Sequence, residues 1–390
     1  MKKSLALLAL ASLFIGTTSC RKKDEPKPTP VVSTDPNTAD ASADVTAIKS
    51  SQAVLTVPAG SVVYIKPQTG LKILGATMDA TDKTKYTVGS NGLLGINGNV
   101  EKLKIQSDDI TNLSLSKSSP LLKTLILVSK NSSATATATA IDLSGLTDLE
   151  SLLIAGYSIE SLDLTKLTKL KNLGIGAWEL GANFPELTNA FGSIPEKASR
   201  ISEVKLPANN VIENFMVRTA TLQDGKCDFD NLPKLKKFFC QSPYFSNFTF
   251  AKSTELEVLY ATAPTAGIKL NADLGNKPKL KDITFKNATL SKFAVSNATN
   301  VVLKDSNAGA IAVEFDNIPA VQAAQYIGNG AARSTVKSIT LKNMELTEDL
   351  LVKIIKRLQT SGGTIKVKSE LLTTAVNAAL SAKGWTGTAL

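Results

Sequence analysis

Residues 141–149, IDLSGLTDL, return 21 positions later as 162–170, LDLTKLTKL, and each copy runs into a second apolar element, LESLLI ending at Ile154 and LKNLGI ending at Ile175. A short fixed period constrains the fold more than any other feature of this chain, because one unit can bury its apolar residues only against its neighbours. Weaker copies begin at Ile110, Cys227, Phe245 and Ile268. The leucine that anchors the second element falls at Leu122, Leu149, Leu170, Leu235, Leu256 and Leu280, in steps of 21, 24 or 27 within each run. Apolar residues alternate with period two inside each short element, which selects strand over helix. The pattern predicts short strands stacked coil upon coil.

Two longer segments interrupt the repeat and resemble each other. Residues 183–206, NFPELTNAFGSIPEKASRISEVKL, and 317–341, NIPAVQAAQYIGNGAARSTVKSITL, each place proline before a short amphipathic helix and return through a loop to a strand. Beyond them Thr347 is placed to N-cap LTEDLLVKIIKRLQ, whose Leu350, Leu351, Ile354, Ile355 and Leu358 form one apolar stripe. Gly362 and Gly363 end that helix; a strand at 364–368, a helix at 370–383 and a strand from Trp385 complete a closing unit. The expected fold class is mainly β with α/β elements: a solenoid with helix-containing insertions and a C-terminal α/β cap.

The recurring L-x-x-L-x-L register resembles the leucine-rich-repeat, internalin-like surface lipoproteins of Bacteroidetes, over roughly residues 100–303. VGSNGLLGINGNVEKL at 88–103 looks like the strand-rich lead-in of those proteins, and AKGWT at 382–386 like their C-terminal closure. One departure matters. The resemblance calls for asparagine three residues after the second strand leucine, and that position reads Asp108, Lys130, Tyr157, Trp178, Asn209, Pro243, Pro264 and Ala288. With one asparagine among eight, a regular asparagine ladder cannot close the coils, and a straighter or irregular solenoid with β-turn corners is expected.

The N-terminus carries an address. Lys2 and Lys3 precede an apolar run at 5–15 and the small residues 16–19, ending at Cys20. A run of eleven is too short to span a bilayer, which takes about 20 residues, and it reads as an export signal. Ser19 before Cys20 resembles the lipobox of bacterial lipoproteins, with Thr17 where that motif usually has leucine, and this makes Cys20 the lipid-attachment residue. Arg21 to Glu25 and the prolines at 26, 28, 30 and 36 read as a spacer with too little apolar surface to fold. Lys23-Asp24-Glu25 also looks like the surface-export signals of Bacteroidetes lipoproteins, which implies a protein anchored in the outer membrane and facing the exterior. The chain is thus divided into a signal peptide at 1–19, a lipid-anchored disordered tether at 20–49, an N-terminal β cap at 50–99, the solenoid at 100–345 and the C-terminal cap at 346–390.

Composition narrows function. There is no histidine, so Ser-His-Asp and Cys-His catalysis, histidine-ligated metals and a histidine pH switch are excluded. The 44 basic against 34 acidic residues give +10, but the lysines are scattered singly and there is no arginine-rich block, which argues against nucleic acid.

Several residues remain as candidates. Tyr157 and Trp178, 21 apart, would stack as a ring ladder able to hold a glycan or a partner's apolar side chain; otherwise they pack coil corners. A column through Lys104, Ile126, Leu153, Gly174, Lys205, Phe239, Tyr260 and Thr284 is apolar at Ile126, Leu153, Phe239 and Tyr260, and such a column marks a protein interface unless the insertions bury it. Asp142 and Asp163 occupy equivalent positions and could bind calcium or act as an acid/base pair, but this repeat position usually bonds a turn amide. Cys227 and Cys240 align with inward positions and read as buried reduced thiols, with a disulfide between them as the alternative in an exported protein. These residues predict a macromolecule-binding surface lipoprotein rather than an enzyme. It would be monomeric, with no cofactor or metal and only its lipid in the membrane, and its partner would be a protein or glycan on a host or neighbouring cell. The alternatives are a glycan-binding accessory lipoprotein of a polysaccharide-uptake system, and a carboxylate-based hydrolase or lyase on a β-solenoid.

Overall fold

The computed structural model describes residues 38–390 apart from 66–69, 99–100, 108–109, 111, 116–121, 130–135, 138–140, 179, 189–193, 243–244, 263–268, 307–308 and 329. The expected signal peptide at 1–19, Cys20 and residues 21–37 lie outside the described residues.

Seven strands and one helix precede the solenoid: β1 (Thr38–Asp40), α1 (Val45–Lys49), β2 (Ala53–Thr56), β3 (Val62–Ile65), β4 (Lys72–Leu74), β5 (Ala76–Met78), β6 (Lys85–Val88) and β7 (Leu93–Asn97). β1 and α1 therefore fall inside the stretch assigned to the tether. Asp44 caps α1 by accepting the Ala47 N–H at 2.8 Å, and buried Ile48 packs where Gly75 has no side chain. One buried isoleucine among polar residues carries little periodic signal, which is why this edge was invisible in the sequence.

The solenoid has two walls. The long wall is made of β8 (Lys102–Gln106), β10 (Thr124–Val128), β13 (Ser151–Ala155), β15 (Asn172–Ile175), β17 (Asn214–Arg218), β18 (Lys237–Gln241), β20 (Val258–Thr262), β22 (Asp282–Lys286) and β24 (Val302–Ser306), all parallel. Its register carries one inward column through Leu103, Leu125, Leu152, Leu173, Phe215, Phe238, Leu259, Ile283 and Leu303, so the residues that repeat in sequence stack in space.

Among the described residues the side wall falls into three pieces. β9 (Asn112–Ser114) pairs β12 (Ile141–Asp142); β11 (Ala136–Thr137), β14 (Tyr157–Asp163) and β16 (Arg200–Lys205) form a second piece. The third piece runs β19 (Asn247–Phe248), β21 (Lys269–Asn276), β23 (Thr289–Ser296), β25 (Gly309–Asp316), β26 (Ser338–Lys342), β27 (Gly363–Val367) and β28 (Trp385–Ala389). The chain makes a β-rich, mostly parallel repeat fold whose apolar core lies between the walls. The N-terminal strands seal one end: β3 pairs β8 and β2 pairs β9, both antiparallel, so neither wall starts on an open edge.

The other end is sealed by helices. After β25 the chain forms α3 (Ala320–Ile327) and α4 (Gly330–Thr335), and Gln322 accepts the Leu303 N–H of β24 through its side-chain oxygen at 3.5 Å. α5 (Glu348–Arg357) and α6 (Thr374–Ser381) then take the place of long-wall strands between β26, β27 and β28. Thr347 caps α5 by accepting the Leu350 N–H at 3.3 Å, and Leu351, Ile354, Ile355 and Leu358 are buried.

Two side-chain ladders stitch the coils. The residue preceding the first eight long-wall strands reads Glu101, Lys123, Glu150, Lys171, Glu213, Lys236, Glu257 and Lys281, strictly alternating in sign. Consecutive members are joined through the backbone, and Lys171–Glu150, Lys236–Glu213 and Lys281–Glu257 form ion pairs at 2.9, 2.7 and 2.7 Å. An asparagine ladder exists after all, at another corner. Asn297 donates to Asn276 at 2.7 Å and Asn317 donates to Asn297 at 2.9 Å, where the side-wall strands end. Asn297, Asn317 and Asn343 hold φ of 57°, 51° and 47°, a left-handed turn that asparagine tolerates better than other side chains.

Candidate functional site

The outward column of the long wall holds most of the residues singled out in the sequence. Its observed order is Lys104, Ile126, Leu153, Gly174, Met216, Phe239, Tyr260, Thr284 and Lys304. Lys205 is not in it. The RISEVK strand has the right alternation but pairs β14 on the side wall, and Met216 of β17 takes the expected seat.

The column is not an open apolar patch. Ala177 and Lys197 exchange backbone hydrogen bonds at 2.6 and 2.8 Å, closing the base of an insertion that folds back over the wall. α2 (Pro185–Thr188) and the residues before it bring Trp178, Leu180, Phe184 and Leu187 down onto Ile126, Leu153, Met216 and Phe239, making a second, smaller core. Gly174 makes room for this: a Cβ there would lie 2.5 Å from Leu153 Cδ1 and 3.5 Å from Leu187 Cδ1. Ile126 and Leu153 are fully buried and Phe239 is 4% exposed, which corrects the expectation of an exposed interface at these three positions.

The ring ladder does not form either. Tyr157 lies in the main core, fully buried, with its hydroxyl donating to the Ser107 carbonyl at 2.7 Å. Trp178, 7% exposed, belongs to the second core on the far side of the long wall. Gly156 and Gly176, with φ of 84° and 76°, turn the chain at equivalent points, but after Gly176 it enters the insertion instead of a side-wall strand.

The cover thins at Tyr260, the one half-buried member of the candidate set. Phe239 stacks on the Tyr260 ring at 5.6 Å and 10°, Trp178 meets it edge-on at 5.0 Å, and the Lys286 ammonium stands 4.9 Å from its centroid. The faces of this ring are engaged within the chain, so a sugar finds no free platform here. Past Tyr260 the wall continues as half-buried Val258, exposed Val302 (42%), and Lys304 paired to Asp282 at 2.6 Å. Sequence reading missed this rim because its apolar members are valines at strand starts, outside the column followed. It also missed the cover, whose signal was the spacing of Phe184 and Leu187 in NFPEL.

The acidic candidates have structural partners. Asp142 accepts the Ser144 N–H at 2.9 Å; Asp163 accepts the Thr165 N–H at 2.9 Å and its hydroxyl at 2.6 Å, and that hydroxyl first, then the amide, holds its pKa down. Among the described residues, every carboxylate pKa resolved as displaced is lowered, chiefly by hydrogen bonds to the charged form. Cys227 and Cys240 are free and buried, and burial pushes both thiols up, away from the thiolate. Among the described residues no group of three or more acidic or cysteine side chains is placed to hold a metal, and no helix is long and apolar enough to cross a membrane.

No family model matches the sequence, and no curated protein matches it. Among solved structures, one similar chain is the functional domain of InlJ from Listeria monocytogenes, described as including a cysteine ladder. It is 12% identical, covers 68% of this chain and 76% of its own length, and superposes with a TM-score of 0.23.

Proposed function

We propose that this protein is a lipid-anchored outer-membrane lipoprotein, attached through Cys20 and facing the exterior, whose leucine-rich-repeat-like solenoid binds a macromolecular partner. The observation that carries the reading is where the insertion stops. It covers the apolar face of the long wall through β18 and leaves Val258, Tyr260 and Val302 at the brink, beside Lys286 and Lys304. With Asp282 and Thr284 of β22 between them, these side chains make a mixed apolar and polar rim on stacked, hydrogen-bonded strands, which suits a protein surface. The occupied faces of Tyr260 favour a protein partner over a glycan held by stacking. The lowered carboxylates favour binding over hydrolysis, which needs a carboxylic acid held protonated.

The test is a binding panel of host matrix proteins and glycans against the chain from Pro36, the start of the compact unit that holds every described strand. A saturable protein ligand lost on Tyr260→Ala combined with Val302→Glu is the expected result. Saturable glycan binding untouched by that double variant would sink the reading. The anchor is tested separately: Cys20→Ser should move the protein from the membrane fraction to the soluble one.

A further inference from the structure

The two walls end differently at the C-terminal cap. Helices stand in place of long-wall strands there, whereas the side wall runs on to β28, which pairs β27 and no other described strand. The phase of that pairing is fixed by the Leu390 N–H, which donates to the Val367 carbonyl at 3.0 Å. Alternate residues of a parallel strand bond the same neighbour, so Thr386, Thr388 and Leu390 turn their backbone groups toward β27, and Trp385, Gly387 and Ala389 turn theirs away. Among the described residues nothing donates to or accepts from the backbone of Gly387 or Ala389. Thr386, Thr388 and Ala389 are exposed. Such an edge is usually blunted by lysine, proline or a bulge. β28 has none of these: its ladder with β27 runs unbroken from Trp385 to Ala389, and Lys383 is the one charged residue from Leu371 to Leu390 in a chain that is 20% charged.

We infer that this edge is a self-association site, at which β28 of a second copy of the chain pairs β28 antiparallel about a two-fold axis through Gly387. Main-chain hydrogen bonds are the usual source of affinity when a strand extends a sheet, and antiparallel strands exchange them between residues that both face the edge. Setting Gly387 on Gly387 and Trp385 on Ala389 of the second copy is the symmetric register that engages all three such residues. The side chains agree with it. On the outer face Thr386 meets Thr388 of the second copy, twice, a favourable cross-strand pair. On the inner face the bulk of Trp385 meets the methyl of Ala389. No side chain stands at the axis, because a Cβ on Gly387 would lie 2.7 Å from Leu372 Cδ2 and 2.9 Å from Leu380 Cδ1. The strand carries no charge, so two copies meet without like-charge repulsion, whereas a foreign strand finds no charge here to recognise. A dimer takes the place of the monomer expected from the sequence. The site is on a different wall from the Tyr260 rim and does not depend on it.

The test is disulfide trapping of the full chain in detergent, under mild oxidation by oxidised glutathione. The variants Thr386→Cys and Thr388→Cys should form a covalent dimer when mixed, because the register sets these two positions opposite each other. Each variant alone should give about fivefold less or lower, since a residue lies diagonally from its own counterpart at about 7–8 Å, beyond the reach of a disulfide. The parent chain, with its own three cysteines, sets the background. Ala389→Pro removes an edge-facing N–H that has no partner within the chain. It should abolish the concentration-dependent dimer read by light scattering and leave the thermal midpoint of dilute protein unchanged. No covalent dimer from the mixture above the parent's background, equal trapping of each variant alone, or a dimer that survives Ala389→Pro overturns the proposal. A monomer whose Gly387 and Ala389 amides are protected from deuterium exchange would assign the edge to another segment of this chain and overturn it equally.

Discussion

At the scale of single residues, glycines and one lysine carry the sharpest expectations. Gly176 holds φ of 76° and a Cβ there would meet the Arg218 carbonyl at 2.2 Å and the Lys197 carbonyl at 2.9 Å, whereas Gly225 holds the same φ with open space around it. Gly225→Ala should cost about 1–2 kcal/mol for the left-handed conformation alone. Gly176→Ala should cost roughly 2–5 kcal/mol, because the overpacking adds to it; comparing the two by chemical denaturation checks this. Lys277 stands at the corner position held by Leu146, Leu167 and Leu232 in other coils, 1% exposed, with its ammonium donating to the Leu274 and Asn276 carbonyls at 2.5 and 3.3 Å. Burial pushes its pKa down. The unfolded chain therefore holds this proton to higher pH than the folded one, so Lys277 makes stability rise with pH up to the lysine's ordinary value. Lys277→Met should remove this contribution, so that unfolding curves from neutral to alkaline pH show the variant's stability changing less favourably with rising pH than the parent's. The repeat predicted an inward position here but not a lysine in it. Likewise it aligned Tyr157 with Trp178 and could not tell that they occupy different cores, because the divergence follows Gly176 and lies in the insertion.

At the scale of elements, most strands of the long wall were legible because they place apolar residues two apart behind an anchor leucine, as in Leu152 and Ile154 after Leu149; β17, behind Ile212, was not, and RISEVK stood in its place. α5 was legible for an equally local reason: Thr347 as cap and a single stripe behind it. The partition of the side wall was not. Its strands are too short there, two residues each in β11, β12 and β19, for period two to show. The insertion was recognised as helical, but its target was not, since a helix of the four residues in α2 has no stripe long enough to show a face. Its packing gives a direct expectation. Leu187→Ala removes the side chain seated over Gly174 and should cost about 2–5 kcal/mol. It should also expose part of the second core, read as increased binding of a hydrophobic dye to the folded protein.

At the scale of the whole molecule, the column of alternating charge is the one device that touches nearly every coil. Each exposed pair contributes little alone, about 0.2–1 kcal/mol, and the column matters through its order. Glu213→Lys would set three lysines, 171, 213 and 236, in a row. It should lower the thermal midpoint at low salt and have much less effect near 1 M salt, where the Debye length falls to about 3 Å. A column with alternating signs also has a parity. Excising or duplicating one of these coils sets glutamate beside glutamate or lysine beside lysine at the seam, whereas excising or duplicating two neighbouring coils keeps the alternation unbroken. Growth and shortening of this solenoid should therefore be tolerated in even steps.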